Sequence, residues 1–264
     1  MRKGFIANAS SQVIEDICDR YGNGESTRHI GEIYGVCEHT VAKVLRMHEV
    51  SVRGRGVVSR LGNPDFFETI DCEEKAYVVG LLLADGYVVY DNRIPRHSPS
   101  WGITLKQSDS YMLEAIRELI GSGRKILFQR NEAVLLVSSE KMVNDLKKYG
   151  IVPKKHETVR FPFNDVPESY YRHVVRGIFD GDGCISKNHC TFYGNELMVS
   201  DVKNVLVSAF NVSDNKVFVK DDGVAMFSFS KRKDVALFYE YMYSDSHICL
   251  RRKQERFEKL DFIS

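Results

Sequence analysis

The chain has 264 residues and a formal net charge of +1 at pH 7, from 37 Lys and Arg against 36 Asp and Glu. That length buries a sizeable core in one large domain or two modest ones without covalent staples. The even balance excludes a uniformly basic, non-selective nucleic-acid binder and leaves room for local basic clusters. The six cysteines form no Cys-x-x-Cys pair, which argues against structural zinc, and reduced thiols are the expectation. No apolar run is long enough to span a membrane, and no signal-peptide core opens the chain. A soluble, cytoplasmic protein is therefore expected.

Residues 1–60 read as a separate unit. A helix is predicted over 11–21, with Val13, Ile14 and Ile17 at helical spacing, and Gly22-Asn23-Gly24 stops it. Ser26 caps a second helix carrying Ile30, Ile33 and Tyr34. After the turn Gly35-Val36-Cys37, a third helix starts at Glu38 and turns Val41, Val44 and Leu45 inward. This spacing resembles a helix-turn-helix, whose last helix reads bases with its first residues. The outward candidates are Glu38, His39, Thr40 and Lys43. Arg53 and Arg55, in the basic tail that follows, suit phosphate or minor-groove contact. The plainer alternative is a small helical bundle that binds nothing.

Beyond this unit, two stretches say nearly the same thing. Residues 76–86 read AYVVGLLLADG and residues 173–183 read HVVRGIFDGDG. Gly80 and Ala84 share one helix face, as do Gly177 and Gly181, because residues four apart are helical neighbours. Small residues there let two helix backbones approach closely, which would bring Asp85 and Asp182 together at one end. Gly86 and Gly183 suit left-handed helix caps. Two adjacent carboxylates repel unless a cation or proton intervenes. Carboxylate and helix-terminal carbonyl oxygens, here at Ala84 and Gly181, are hard ligands suited to Mg²⁺.

Each copy continues as helix, hairpin, helix, hairpin, helix. In the first, strands are predicted at 87–90 and around Trp101, Ile103 and Leu105, separated by a polar loop. A helix over 110–120, a hairpin of 126–130 with 133–138, and a helix over 141–149 follow. In the second, strands fall at 185–187, 191–193, 217–220 and 224–230, with helices over 195–210 and 234–242. A second basic cluster holds Arg251, Arg252, Lys253, Arg256 and Lys259.

The endings GLLLADG and GIFDGDG resemble the paired signature helices of the LAGLIDADG homing endonucleases, in the single-chain form with two repeats, over roughly residues 66 to 260. Leu83 stands where the second copy has Asp180, a departure from the pattern. The resemblance implies an α+β fold in which two pseudo-symmetric αββαββα repeats, 61–160 and 161–264, form a DNA-binding antiparallel β-saddle. It implies a monomer that needs no protein partner and cuts both strands of a long, non-palindromic duplex with Mg²⁺ or Mn²⁺. Asp85 and Asp182 carry over as catalytic metal ligands. A central lysine from each repeat is matched by Lys154 or Lys155 in GIVPKKHETVRFP, and by Lys253, with Arg251 beside it, in ICLRRKQERF. Lys106 and Gln107 match a further polar position near the active centre. The polar saddle face offers Thr104, Lys106, Lys187, Thr191 and Tyr193 as DNA contacts. A non-cleaving DNA-binding regulator and an intron RNA maturase are the alternatives on this scaffold. The regulator would ordinarily have lost an acid, and both acids are present.

Overall fold

The structure is a computed structural model, which describes residues 9–22, 25–52, 62–90 and 98–263. Arg53 and Arg55, and most of the polar loop before Trp101, lie outside the described residues. The chain forms two compact units, Met1–Gly62 and Asn63–Ser264. Among the described residues no helix is long and apolar enough to cross a membrane.

The first unit is trihelical: α1 (Ser11–Gly22), α2 (Thr27–Tyr34) and α3 (Glu38–Met47). Ser26 caps α2, its side chain accepting from the His29 N–H at 3.1 Å. Gly35, at φ 64, ends it in the left-handed region. Ile17, Tyr21, Ile30, Val41, Val44 and Leu45 form the core. Ile33, expected to share the inner face of α2, is 46% exposed. The inner stripe runs through Ile30, Gly31 and Tyr34 instead, because Gly31 packs against the Val36 carbonyl, where a Cβ would sit at 2.6 Å.

The second unit holds both repeats. The first comprises α4 (Glu73–Asp85), β1 (Gly86–Val89), β2 (Ser100–Lys106), α5 (Ser110–Leu119), β3 (Leu127–Gln129), β4 (Glu132–Ser138) and α6 (Glu140–Leu146). The second comprises α7 (Tyr171–Asp182), β5 (Gly183–Ser186), β6 (His189–Gly194), α8 (Glu196–Phe210), β7 (Phe218–Val219), β8 (Ala225–Phe229) and α9 (Arg232–Tyr243). A further helix, α10 (Arg251–Glu258), follows. The sheets are ordered β1-β2-β4-β3 and β5-β6-β8-β7, the same antiparallel topology twice.

Alternation sorts the faces. Trp101, Ile103 and Leu105 on β2, with Ala133, Leu135 and Val137 on β4, are buried against the helices. Cys190, Phe192, Phe227 and Phe229 do the same in the second sheet. A single apolar cluster runs through both halves and across α4 and α7.

Two expectations need correction. Gly86 and Gly183 are not left-handed caps: they lie at φ −80 and −83, in extended backbone that leads straight into β1 and β5. Glycine is required there by space, since a Cβ would meet the Leu82 carbonyl at 2.5 Å or the Phe179 ring at 2.2 Å. Lys187 is not in a strand: it occupies the tight turn between β5 and β6 at φ 52.

Candidate metal centre and nucleic-acid interface

The site begins with the seam between α4 and α7. A Cβ on Gly80 would lie 2.2 Å from the Val174 carbonyl oxygen, and one on Gly177 would lie 2.3 Å from that of Tyr77. Backbone touches backbone, so only glycine fits at either position. At the end of the seam a Cβ on Gly181 would stand 2.3 Å from the Ala84 Cβ and 3.0 Å from Asp85 Oδ2. The small-residue spacing therefore brings the last turns of both helices, and their acids, together.

Asp85 is half-buried, and Asp182 is open to water at the end of its helix. Among the described residues neither carboxylate accepts a hydrogen bond. The surrounding protein disfavours charge at both. Asp85 is pushed up to about 6, first by desolvation and then by the Asp182 charge, against the pull of Lys253, Lys155 and Arg252. Asp182 is raised by desolvation, with Lys155 and Lys253 opposing.

Each repeat contributes one lysine. Lys155 Nζ donates to the Ala84 carbonyl at 2.8 Å, from a short 3₁₀ turn spanning Lys155–Glu157. Lys154, beside it at φ 58, is exposed, so of the two it is Lys155 that reaches the acids. Burial lowers the Lys155 pKa, with both aspartates opposing. Lys253, on α10, is only 3% exposed and donates to the carbonyls of Phe179 and, at 2.6 Å, Gly183. Its ammonium is brought down to about 8 by burial, which Asp180 opposes. Within the basic cluster Lys253 is the exception: it forms the buried face of α10 with Phe257, while Arg251, Arg256 and Lys259 are exposed.

Asp180, read in the sequence only as a departure between the copies, is fully buried. Its Oδ2 accepts from the Tyr77 hydroxyl at 2.8 Å and from the Leu250 N–H, which starts α10, at 2.7 Å. Its raised pKa comes first from burial.

The remaining sequence candidates divide. Thr104, Lys106 and Tyr193 lie on the open sheet faces, opposite the helices, by their register with Val134, Glu132 and Met226. Thr191 shares that face but is buried, its hydroxyl paired with Ser228 Oγ at 2.9 Å. Exposed His189, which the sequence reading passed over, shares the face as well. Lys106 and Gln107 are exposed, and no hydrogen bond among the described residues joins either side chain to an acid. In the first unit His39 and Lys43 are exposed, Glu38 is half-buried, and the Thr40 hydroxyl contacts Cys37 Sγ at 3.2 Å.

Among the described residues no group of three or more His, Cys, Asp and Glu side chains could hold a metal ion. The oxygens at the seam are two carboxylates and the main-chain oxygens of Gly181 and Ala84, in last helical turns that lack intrahelical partners, that of Ala84 also accepting from Lys155. This all-oxygen set, with both carboxylates free of hydrogen-bond donors, fits a hard divalent cation whose remaining ligands come from elsewhere.

No family model and no curated protein matches the chain. Solved structures do. The structure of I-DmoI in complex with DNA and Ca is 20% identical, covering 74% of this chain and 98% of that one, with a TM-score of 0.50. Mesophilic variants of the homing endonuclease I-DmoI are 19% identical, covering 70% of this chain and 94% of theirs, also at 0.50. The LAGLIDADG meganuclease I-AabMI bound to uncleaved DNA is 15% identical, covering 70% and 87%, at 0.48.

Proposed function

We propose that this chain, whose larger unit has the fold of the LAGLIDADG homing endonucleases, is a site-specific endodeoxyribonuclease that cuts both strands of a DNA duplex with Mg²⁺. The observation that carries the reading is the delivery of one acid per repeat to the end of a glycine-tight seam, with one lysine beside each helix end. The DNA and Ca in the I-DmoI structure support it.

Asp85, Asp182 and the carbonyls of Ala84 and Gly181 would hold the cation. Bound there, Mg²⁺ supplies activation of water and stabilisation of the leaving oxygen. The raised carboxylate pKa values show that the surrounding protein disfavours the two negative charges, which a bound cation would offset. Lys155 and Lys253 set fixed positive charge where negative charge develops on the phosphate. Thr104, Lys106, His189 and Tyr193, on the open faces, contact the duplex on either side. The two halves are unequal: β5 and β6 are joined by the turn at Lys187 and Asn188, whereas residues 90–99 separate β1 from β2. Unequal arms read unequal half-sites, so the target is non-palindromic and one chain suffices. The trihelical unit extends the footprint as a helix-turn-helix, with His39 and Lys43 facing the groove.

Selection of bound duplexes from a randomised library, followed by incubation with Mg²⁺, tests the reading. The expected result is a double-strand cut at one position within an enriched site. Enrichment without a cut at any Mg²⁺ or Mn²⁺ concentration would favour the regulator instead.

A further inference from the structure

The lysine-bearing segments are anchored by neighbours that lie across the repeat boundary. Ahead of Lys253, Arg252 Nε donates to Asp109 Oδ2 at 2.7 Å. The Arg251 N–H donates to the Tyr111 hydroxyl at 2.7 Å, and the Arg251 guanidinium lies 4.8 Å from the centre of that ring. Asp109 and Tyr111 belong to the first repeat. Around Lys155 the direction reverses. Asn195, of the second repeat, donates through Nδ2 to the carbonyls of His156 at 3.1 Å and Val159 at 2.9 Å. Asp201 then accepts two bonds from Arg160, at 3.0 and 2.9 Å.

Asp109 and Asn195 both lie ahead of the helix that follows the second strand, α5 in one case and α8 in the other: Asn195 is the cap residue directly after β6, and Asp109 closes a 3₁₀ turn, Gln107–Asp109, between β2 and α5. Asn195 caps its own helix, accepting from the Met198 N–H at 2.8 Å, and turns its amide nitrogen to the other repeat. Asp109, whose 3₁₀ turn runs straight on into α5, makes no side-chain cap bond and is 2% exposed with its carboxylate on Arg252. A buried carboxylate paired with an arginine from the other half is placed for that contact.

We propose that each repeat grips the lysine segment of the other, with Asp109 and Asn195 as the positioning residues for Lys253 and Lys155. Each lysine segment, held in part by its own half through the Leu250 N–H to Asp180 or Lys155 to Ala84, then takes its final position only when both repeats are docked, which couples the two strand cuts. The grip stands on the contacts alone, and its catalytic consequence rests on the nuclease reading above.

Acetic anhydride labelling of the full chain without DNA, read lysine by lysine by mass spectrometry, tests the grip independently of cleavage. Asp109→Ala should raise labelling of Lys253 by about tenfold to a hundredfold, the factor for losing a charge-assisted hydrogen bond, and leave Lys155 near the parent rate. Asn195→Ser, which keeps a capping hydroxyl but not the amide, should do the reverse. Asp109→Glu should restore much of the protection at Lys253. Should Asp109→Ala not fold, Arg252→Gln breaks the same bond from its half-exposed side. Both lysines rising together, or neither rising, would overturn the proposal. On a cleavable duplex the two variants should slow opposite strands. A parent that cuts nothing would sink the nuclease reading while leaving the labelling result to decide the grip.

Discussion

Helix α4 buries Ala76 through Leu83 without a charged side chain, whereas α7 buries His173, Arg176 and Asp180 over the matching stretch. Both nonetheless run through the same seam and end in an acid at the same place. The seam is therefore set by Gly80, Gly177 and Gly181, where backbone and small side chains meet, and not by the chemistry of the flanking residues. The charges of α7 serve what lies behind it. Arg176 donates to the carbonyls of Ile248 at 2.9 Å and Met242 at 2.7 Å and faces Glu73 at 3.8 Å. Asp180 holds the Leu250 N–H. Together they fix the strap that leads into α10, and so Lys253 sits on two carbonyls. Lys155, behind the apolar helix, rests on a short turn and one carbonyl.

The largest effect should come from breaking what the halves share. Gly177→Ala forces a Cβ to within 2.3 Å of the Tyr77 carbonyl oxygen, and neither backbone has room to yield. Overpacking of this kind costs about 1–3 kcal/mol and at times more, here toward the upper end because backbone meets backbone, and cleavage should fall with the seam. Gly223, at φ 82 with open space around it, is a left-handed position that Asn tolerates better than other side chains, so Gly223→Asn should cost only about 1 kcal/mol. Thermal melts of both variants decide this; a Gly177→Ala protein that melts with the parent refutes the backbone contact.

Exchanging the chemistry of the halves should separate their roles. Asp180→Leu strands the Tyr77 hydroxyl and the Leu250 N–H, and Leu83→Asp buries a carboxyl without such donors. Each should cost about 2–4 kcal/mol by chemical denaturation. Only Asp180→Leu should loosen α10, seen as faster hydrogen exchange across Arg251–Glu258. Equal exchange in both variants would show that Asp180 does not anchor that helix.

The smallest effect concerns pH. Asp85 titrates near 6 in the folded chain, against about 4 for an ordinary carboxyl. Between those values the native state keeps a proton that the unfolded state has released, so stability falls as pH rises through the window. Asp85→Asn removes this penalty. With solvent screening allowed for, its melting point at pH 7 should exceed the parent's by about 2–4 °C, equivalent to ~1 kcal/mol. The gap should close below about pH 4. A variant that melts below the parent at pH 7 would mean that Asp85 supports the fold.

The sequence carried the repeat, the order of elements and the seam, because small-residue spacing and strand alternation are local patterns. It misassigned Gly86 and Gly183, since a glycine required by a close contact looks the same in sequence as one required by positive φ. It left Lys154 and Lys155 undecided, as only the backbone at φ 58 turns one of them away from the acids. Asp109, Asn195 and Asp180 act on segments about 40 to 143 positions away, and no local pattern records such pairings.

The central claim is that the two acids form one metal-dependent site with a strand assigned to each half. Strand-resolved cleavage of the selected duplex by Asp85→Asn and Asp182→Asn, at saturating Mg²⁺ with affinity measured in parallel, tests it most directly. Both variants should bind DNA within a few-fold of the parent while double-strand cutting falls by about 10²–10³-fold. Full double-strand cleavage by either one would contradict the account.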